Sequence, residues 1–330
     1  MDHLLEVNNI SISFLMRKKW LQAVTDVSFY VDKGETFGIV GESGCGKSVT
    51  SMAMLHLLPK NTSRMDGGEV LFEGVDISGY NDKEMSQIRG RRISMIFQDS
   101  MTSLNPVMTN GAQLVEAVRM HEKVSKKEAE EKAISFLEKV GIPSPEKRFK
   151  EYPHQLSGGM RQRVMIAMAL IQSPSLLIAD EPTTALDVTI QAQILNLMRD
   201  LKASSEVSII LITHDMGVVA EMADRVMVMY AGNVMEVASV RDIFYNPLHP
   251  YSKGLLSSIP RADRTVEGLS SIEGTVPTLQ NMPSGCRFST RCSCCTSKCV
   301  SKCPPLFRKE GHDVRCWLYE NEEAVDGTSC

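Results

Sequence analysis

Three short runs of this chain carry residues suited to phosphate chemistry. Gly41-Glu42-Ser43-Gly44-Cys45-Gly46-Lys47-Ser48 fits G-x-x-x-x-G-K-[ST]. Its glycines let backbone N–H groups converge on a β-phosphate, and a helix starting there adds the positive end of its dipole. Lys47 is expected to reach the β- and γ-phosphates and Ser48 to offer its hydroxyl to Mg²⁺, with Val49 closing the nucleotide-binding set. Cys45 reads as a small filler rather than a redox switch, because no second cysteine lies nearby in sequence. The second run, Leu176-Leu177-Ile178-Ala179-Asp180-Glu181, is an apolar strand ending in two acids. Asp180 suits a Mg²⁺ ligand acting through water or from behind the inner ligands, and Glu181 is placed to orient and deprotonate an attacking water. The plainer reading of Glu181 is a helix-capping acid. Gln98 and His214 end two other apolar runs on the edge where an α/β sheet binds its ligand. A lone histidine is usually structural, so position is the argument for His214. The third run, Leu156-Ser157-Gly158-Gly159, supplies a hydroxyl and bare backbone at a helix start. A chain that already has one phosphate cradle needs this second grip for a second nucleotide, held by another subunit.

These residues need elements to place them. Leu5, Val7, Ile10, Ile12 and Phe14, then Val24, Val27, Phe29 and Val31, alternate with polar residues, which is strand periodicity. Residues 36–40 form an apolar run entering the glycine loop, and 47–58 read as a helix stopped by Pro59. Strands are expected around 69–72 and 93–98. Residues 106 to about 155 change texture to charged amphipathic stretches such as 126–140, a helical insertion. Alternation then resumes, with strands at 176–180, 207–213 and 225–230 and a helix at 189–202. The fold expected is α/β: a P-loop nucleotide-binding domain with a mixed or parallel sheet, an antiparallel β subdomain and the helical insertion. A Pro-, Gly- and Cys-rich tail begins near Pro260.

Composition narrows the class. The chain has 330 residues, 43% hydrophobic and 23% charged, with a net charge of -4. That excludes a general basic field for nucleic acid. No apolar run approaches the roughly 18 residues of a membrane span, and the N-terminus lacks a basic-then-apolar signal. The expectation is a cytosolic protein whose membrane role comes through a partner. Of nine cysteines, eight lie between Cys286 and Cys330, and metal binding is the first reading for such a cluster in a reducing compartment.

The order of phosphate loop, Gln98, Leu156-Ser157-Gly158-Gly159-Met160-Arg161-Gln162-Arg163, Asp180-Glu181, Ala185-Leu186-Asp187 and His214 resembles the ATP-binding subunits of ABC transporters over roughly residues 1–245. The resemblance implies ATP and Mg²⁺, with two subunits sandwiching two ATP molecules. By position it implies that Ser157, Gly158 and Gly159 contact the γ-phosphate held by the opposite subunit. Asp187 would lie in the loop linking the two sites, His214 would be the switch histidine, and Gln98 would couple hydrolysis to the membrane partner. Phe14 matches the aromatic that stacks on adenine, although a Phe in an alternating strand also suits the core. Residues 98–106 and Asn246-Pro247-Leu248-His249-Pro250-Tyr251 resemble oligopeptide and dipeptide importer ATPases, with Met101 near where that group often carries Pro.

In the tail, Gly285-Cys286-Arg287-Phe288, Arg291-Cys292, Cys299 and Cys316 resemble the cysteine ending of the same importers, some of which carry a four-iron four-sulfur (4Fe-4S) cluster there. A rival set, Cys292, Cys295, Cys299 and Cys303, loosely resembles a ferredoxin run, and zinc is the lesser alternative. Cys294 is an extra thiol in the same stretch, and Cys330 reads as a mobile terminal one. The expected organisation is an ATP-binding domain over 1–245 and an extension over 246–330, with the cysteine cluster at about 285–316. The resemblance implies an ATPase powering oligopeptide or dipeptide import at the cytoplasmic face of the cell membrane. Its implied partners are a second, similar ATPase, two integral membrane permeases and an external solute-binding protein, and no nucleic acid. A nickel or other solute importer is the near alternative. An ATPase acting on DNA or the ribosome is the distant one.

Overall fold

A computed structural model describes residues 3–98, 103–184, 186–258 and 272–325. Residues 99–102, Ala185, Pro260 and Cys330, named above, lie outside them. The strands, in chain order, are β1 (Leu5–Met16), β2 (Lys19–Val31), β3 (Thr36–Val40), β4 (Ser63–Phe72), β5 (Val75–Asp76), β6 (Ile93–Ile96), β7 (Leu176–Asp180), β8 (Ser208–Thr213), β9 (Arg225–Tyr230), β10 (Asn233–Ser239), β11 (Phe307–Lys309), β12 (His312–Val314) and β13 (Glu323–Ala324). The chain divides into two compact units, one of residues 1–32, 36–79 and 213–330, the other of 33–35 and 80–212.

The first unit holds an antiparallel sheet in the order β2-β1-β4-β5, and the alternating N-terminal pattern predicts its strands β1 and β2. Val7, Ile10, Ile12, Val24, Val27 and Val31 are all buried there. A second sheet of this unit runs β13-β11-β12-β10-β9-β3. It is mixed, because β3 and β9 are parallel while β9, β10 and β12 pair antiparallel. The helix Lys47–Met54 follows the glycine loop. It ends before the expected stop at Pro59, because His56 takes a left-handed φ of 52° and its N–H turns back to Ala53.

The C-terminal residues share the core of this unit. Phe288 packs edge-on to Tyr230, with centroids 5.1 Å apart, and lies beside Tyr251 and His249. Burying a phenylalanine this fully is worth about 2–3 kcal/mol. Beneath it, the Glu236 carboxylate accepts from the backbone N–H groups of Leu248 and His249, at 2.8 and 3.0 Å, and lies 2.7 Å from His312 Nδ1. Arg315, 1% exposed, donates to the carbonyls of Val234 and Pro304 and lies 3.6 Å from Asp26. Buried charges persist only when paired and hydrogen-bonded, and these are.

The second unit is built on the parallel strands β8-β7-β6, buried along most of their length and rich in Ile and Leu. Parallel strands covered on both faces read as continuous apolar runs rather than alternations. The charged stretch after Pro106 forms the helices Asn110–His121, Lys126–Lys139 and Pro145–Lys150. Helix Lys126–Lys139 starts in a Ser125/Glu128 capping box and buries Ala129, Ala133 and Leu137, a spacing of four that makes one face apolar.

Candidate functional site

The phosphate loop is a tight backbone cradle. Gly41, Gly44 and Gly46 have φ of 154°, 77° and 104°, and Gly46 is the N-cap of helix Lys47–Met54. A Cβ on Gly41 would stand 2.2 Å from the Met229 carbonyl oxygen, so only glycine lets the loop pass β9 this closely. Lys47 is buried, and its Nζ donates to the carbonyls of Gly41 and Glu42 at 2.8 and 3.2 Å. Cys45 is fully buried beneath the loop, and burial pushes its thiol up despite the opposing pull of Lys47. It fills space there and is no reactive thiolate. Ser43 and Gly44 are exposed, Ser48 and Val49 half-buried. Phe14 is also half-buried, opposite Leu21 on β2 and Ser63 on β4. His214 follows β8 and is exposed, one residue before Asp215, whose side chain caps the helix Met216–Met222.

In the second unit the structure brings Gln98 and Glu181 together. Glu181 follows the buried end of β7 with a left-handed φ of 46°, and its N–H is fixed on the Ile212 carbonyl at 2.8 Å. Its Oε2 accepts from Gln98 Nε2 at 3.0 Å and from Thr184 Oγ1 at 2.8 Å. A strained backbone with an oriented carboxylate is the form expected of a group placed for chemistry. Asp180, one residue earlier, is 4% exposed.

Ser157 is the N-cap of the helix Gly158–Leu170, and its Oγ accepts from Met160 N–H at 3.3 Å. Gly159 lies against the helix Val188–Ser205, where a Cβ would come within 2.8 Å of Ile190 Cγ2. Asp187 caps that second helix by accepting from Ile190 N–H at 2.9 Å. Sequence reasoning gave Gln162 no role, yet its buried amide donates to the Pro182 carbonyl at 2.6 Å. It ties the helix begun by Ser157 to the turn that carries Glu181. Its place in the run 156–163 was the available signal.

The cysteines separate into groups. Cys286, Cys292, Cys294, Cys299 and Cys316 line one cavity of about 310 Å³, and Cys294 is the exposed one of the five. Cys286 N–H donates to the Cys299 carbonyl at 2.8 Å. Burial first, then neighbouring cysteines, push Cys286 up to about 11 and Cys316 up to about 12. Cys295 is exposed and absent from that lining, and Cys303 is disulfide-bonded. Among the described residues no three His, Cys, Asp or Glu side chains converge as ligands of one metal ion, and no helix is long and apolar enough to cross a membrane.

Residues 24–184 match the ABC transporter family, and residues 235–299 match the oligopeptide/dipeptide transporter C-terminal region. The chain is 54% identical over 328 residues to the dipeptide transport ATP-binding protein DppD of Bacillus subtilis (strain 168), covering 98% of each. It is 52% identical over 325 residues to the oligopeptide transport ATP-binding protein AppD of the same organism, covering 98% of this chain and 99% of that one. Among solved structures, a dimeric ATP-binding cassette in a post-hydrolysis state bound to ADP and Pi superposes with a TM-score of 0.65 at 26% identity. The superposition covers 72% of this chain and 99% of that one. The chain belongs to the ATP-hydrolysing subunits of ABC transporters, in the family of oligopeptide and dipeptide transport ATP-binding proteins.

Proposed function

We propose that this chain hydrolyses ATP to drive import of short peptides through a pair of membrane permeases, from the cytoplasmic face of the cell membrane. The carrying observation is the Glu181 carboxylate oriented by Gln98 and Thr184 in a chain that also has the phosphate cradle. Lys47 neutralises the β- and γ-phosphates, and Glu181 takes the proton of the attacking water. His214 holds the γ-phosphate, and Gln98 reports its presence to the permease. The oxygen donors of Ser48, Gln98 and Asp180 suit Mg²⁺, a hard cation that would spread the phosphate charge. Phe14 stacks on adenine. Ser157, Gly158 and Gly159 contact ATP held by a second, similar ATPase, with Asp187 in the loop linking the two sites. A solute-binding protein delivers the peptide from outside. By this reading residues 1–245 carry the ATP chemistry and 246–330 are an extension that packs into the core of the first unit.

The cavity lined by Cys286, Cys292, Cys299 and Cys316 is the place for a 4Fe-4S cluster within a cysteine-rich C-terminal module. If bound there, the cluster would take one thiolate on each of its four irons, so these sulfurs need not meet at a single ion as zinc ligands must. Bound there, it would cross-link residues 286–316, a structural task. The test of the transport reading is reconstitution of this chain with its partner ATPase and permeases in vesicles, with uptake of labelled di- to pentapeptides measured. ATP-dependent peptide uptake, abolished by E181Q, supports it; uptake of nickel with no peptide transport refutes it.

A further inference from the structure

Arg291 stands one residue before Cys292 in the tail, yet its side chain ends on the phosphate loop. Nη1 donates to Glu42 Oε2 at 2.7 Å and Nη2 to Glu42 Oε1 at 3.2 Å, a fork on a fork. The other donors are anchored: Nε on the Glu273 carbonyl at 2.9 Å, Nη2 also on the Ile272 carbonyl at 3.1 Å, and Nη1 also at 3.4 Å from the Tyr230 hydroxyl. The guanidinium side chain is 5% exposed against 27% for Glu42. Glu42 is held at its backbone as well, since its N–H donates to the Tyr251 hydroxyl at 3.0 Å. Its carbonyl accepts from Cys45 N–H and Lys47 Nζ, each at 3.2 Å, so the residue belongs to the turn that shapes the cradle.

Glu42 is the one carboxylate within the loop sequence, and the loop's ligand is a triphosphate. Left unpaired, that carboxylate opposes the charge the loop must receive. Paired on both oxygens, it is neutralised and turned to one side, at little entropic cost because Arg291 is already held by two carbonyls. We propose that Arg291 is a positioning residue for ATP: by neutralising and fixing Glu42 it sets the nucleotide affinity of the phosphate loop from within the cysteine-bearing tail. The inference rests on residues 41–48 being the ATP cradle. It makes the tail a determinant of nucleotide binding, where the cluster reading gives it only a structural task.

The test uses the full-length chain for ATP–Mg²⁺ affinity by calorimetry and the assembled transporter for kcat and KM. R291M should raise Kd and KM for ATP at least tenfold while kcat stays within about twofold. R291K, which keeps the charge but not the fork, should show an intermediate loss. Adding E42Q to R291M should recover most of the lost affinity, which a merely structural role for Arg291 would not allow. Should R291M fail to fold, as judged by its melting curve, R291K and the double variant decide. Unchanged ATP affinity in the folded arginine variants overturns the proposal, as does a double variant that binds as weakly as R291M. Wild-type chain that binds no ATP sinks the cradle assignment beneath it as well.

Discussion

Gln98 and Glu181 are 83 residues apart in sequence and are joined by a 3.0 Å hydrogen bond from amide to carboxylate, with Thr184 holding the same oxygen at 2.8 Å. The carboxylate is thereby aimed before any substrate arrives. E181Q keeps the shape and removes the base. It should leave ATP affinity within about threefold of wild type and lower kcat of the assembled transporter by about a thousandfold. Single-turnover hydrolysis beside equilibrium ATP binding separates the two effects. Near-normal turnover would take Glu181 out of the chemistry.

The close pass of Gly41 over β9 gives a second prediction. G41A places a methyl group 2.2 Å from the Met229 carbonyl and 2.7 Å from Cys45 Sγ, so the loop or the strand must shift. The expected cost is about 2–3 kcal/mol of stability, a few degrees of melting temperature in a chain this long, with ATP affinity down at least tenfold. Differential scanning calorimetry and ATP titration read both quantities.

How much of this was legible beforehand depended on where the information resided. The glycine loop before a helix and the placing of Glu181 and Gln98 just past strand ends were readable because motif spacing and strand ends are local properties of sequence. The helical insertion was readable from its period, as the burial of Ala129, Ala133 and Leu137 bears out. The Arg291–Glu42 pair was not, because two charges 249 residues apart leave no periodic trace. Gln162 on Pro182 escaped for the same reason, and the helix after Lys47 stops at Met54 through a local backbone turn that no proline announces.

His249 predicts a pH dependence of stability. It is 1% exposed, accepts from Tyr251 N–H at 3.0 Å as a helix N-cap, and burial pulls it down from 6.5 to about 4 despite the nearby Glu236. Below about pH 6.5 the unfolded chain takes up a proton that the folded chain refuses until about pH 4. Its contribution is therefore complete above 6.5 and drains away as pH falls towards 4, by at most about 3 kcal/mol. H249N keeps an N-cap acceptor without a titrating ring, so its melting temperature should fall less steeply over that window. Parallel melting profiles for the two proteins would expose an error here.

The cavity of Cys286, Cys292, Cys299 and Cys316 predicts a metal content. Chain purified without oxygen should carry about four irons and four sulfides and absorb in the visible, and little zinc should be present. C292S and C299S should each lose most of that iron, whereas C294S and C295S should keep it. Iron, sulfide and zinc assays on the five proteins decide between this set and any other.

Ser157 provides a test that separates capping from catalysis. Its hydroxyl caps the helix Gly158–Leu170 through Met160 N–H, and the proposed dimer presents it to a γ-phosphate held opposite. Alanine would confound the two roles, because losing the cap alone costs about 1 kcal/mol. Aspartate does not: it caps as well as serine and suits the positive end of the helix dipole. S157D should therefore melt at or above the wild-type temperature as an isolated chain and bind ATP normally in its own cradle. A carboxylate facing the partner's γ-phosphate should nevertheless repel it, lowering ATP-driven dimerisation and turnover by about a hundredfold. Light scattering with and without ATP, combined with turnover in the assembled transporter, reads both consequences. Wild-type hydrolysis in S157D would place the second nucleotide contact elsewhere on the chain.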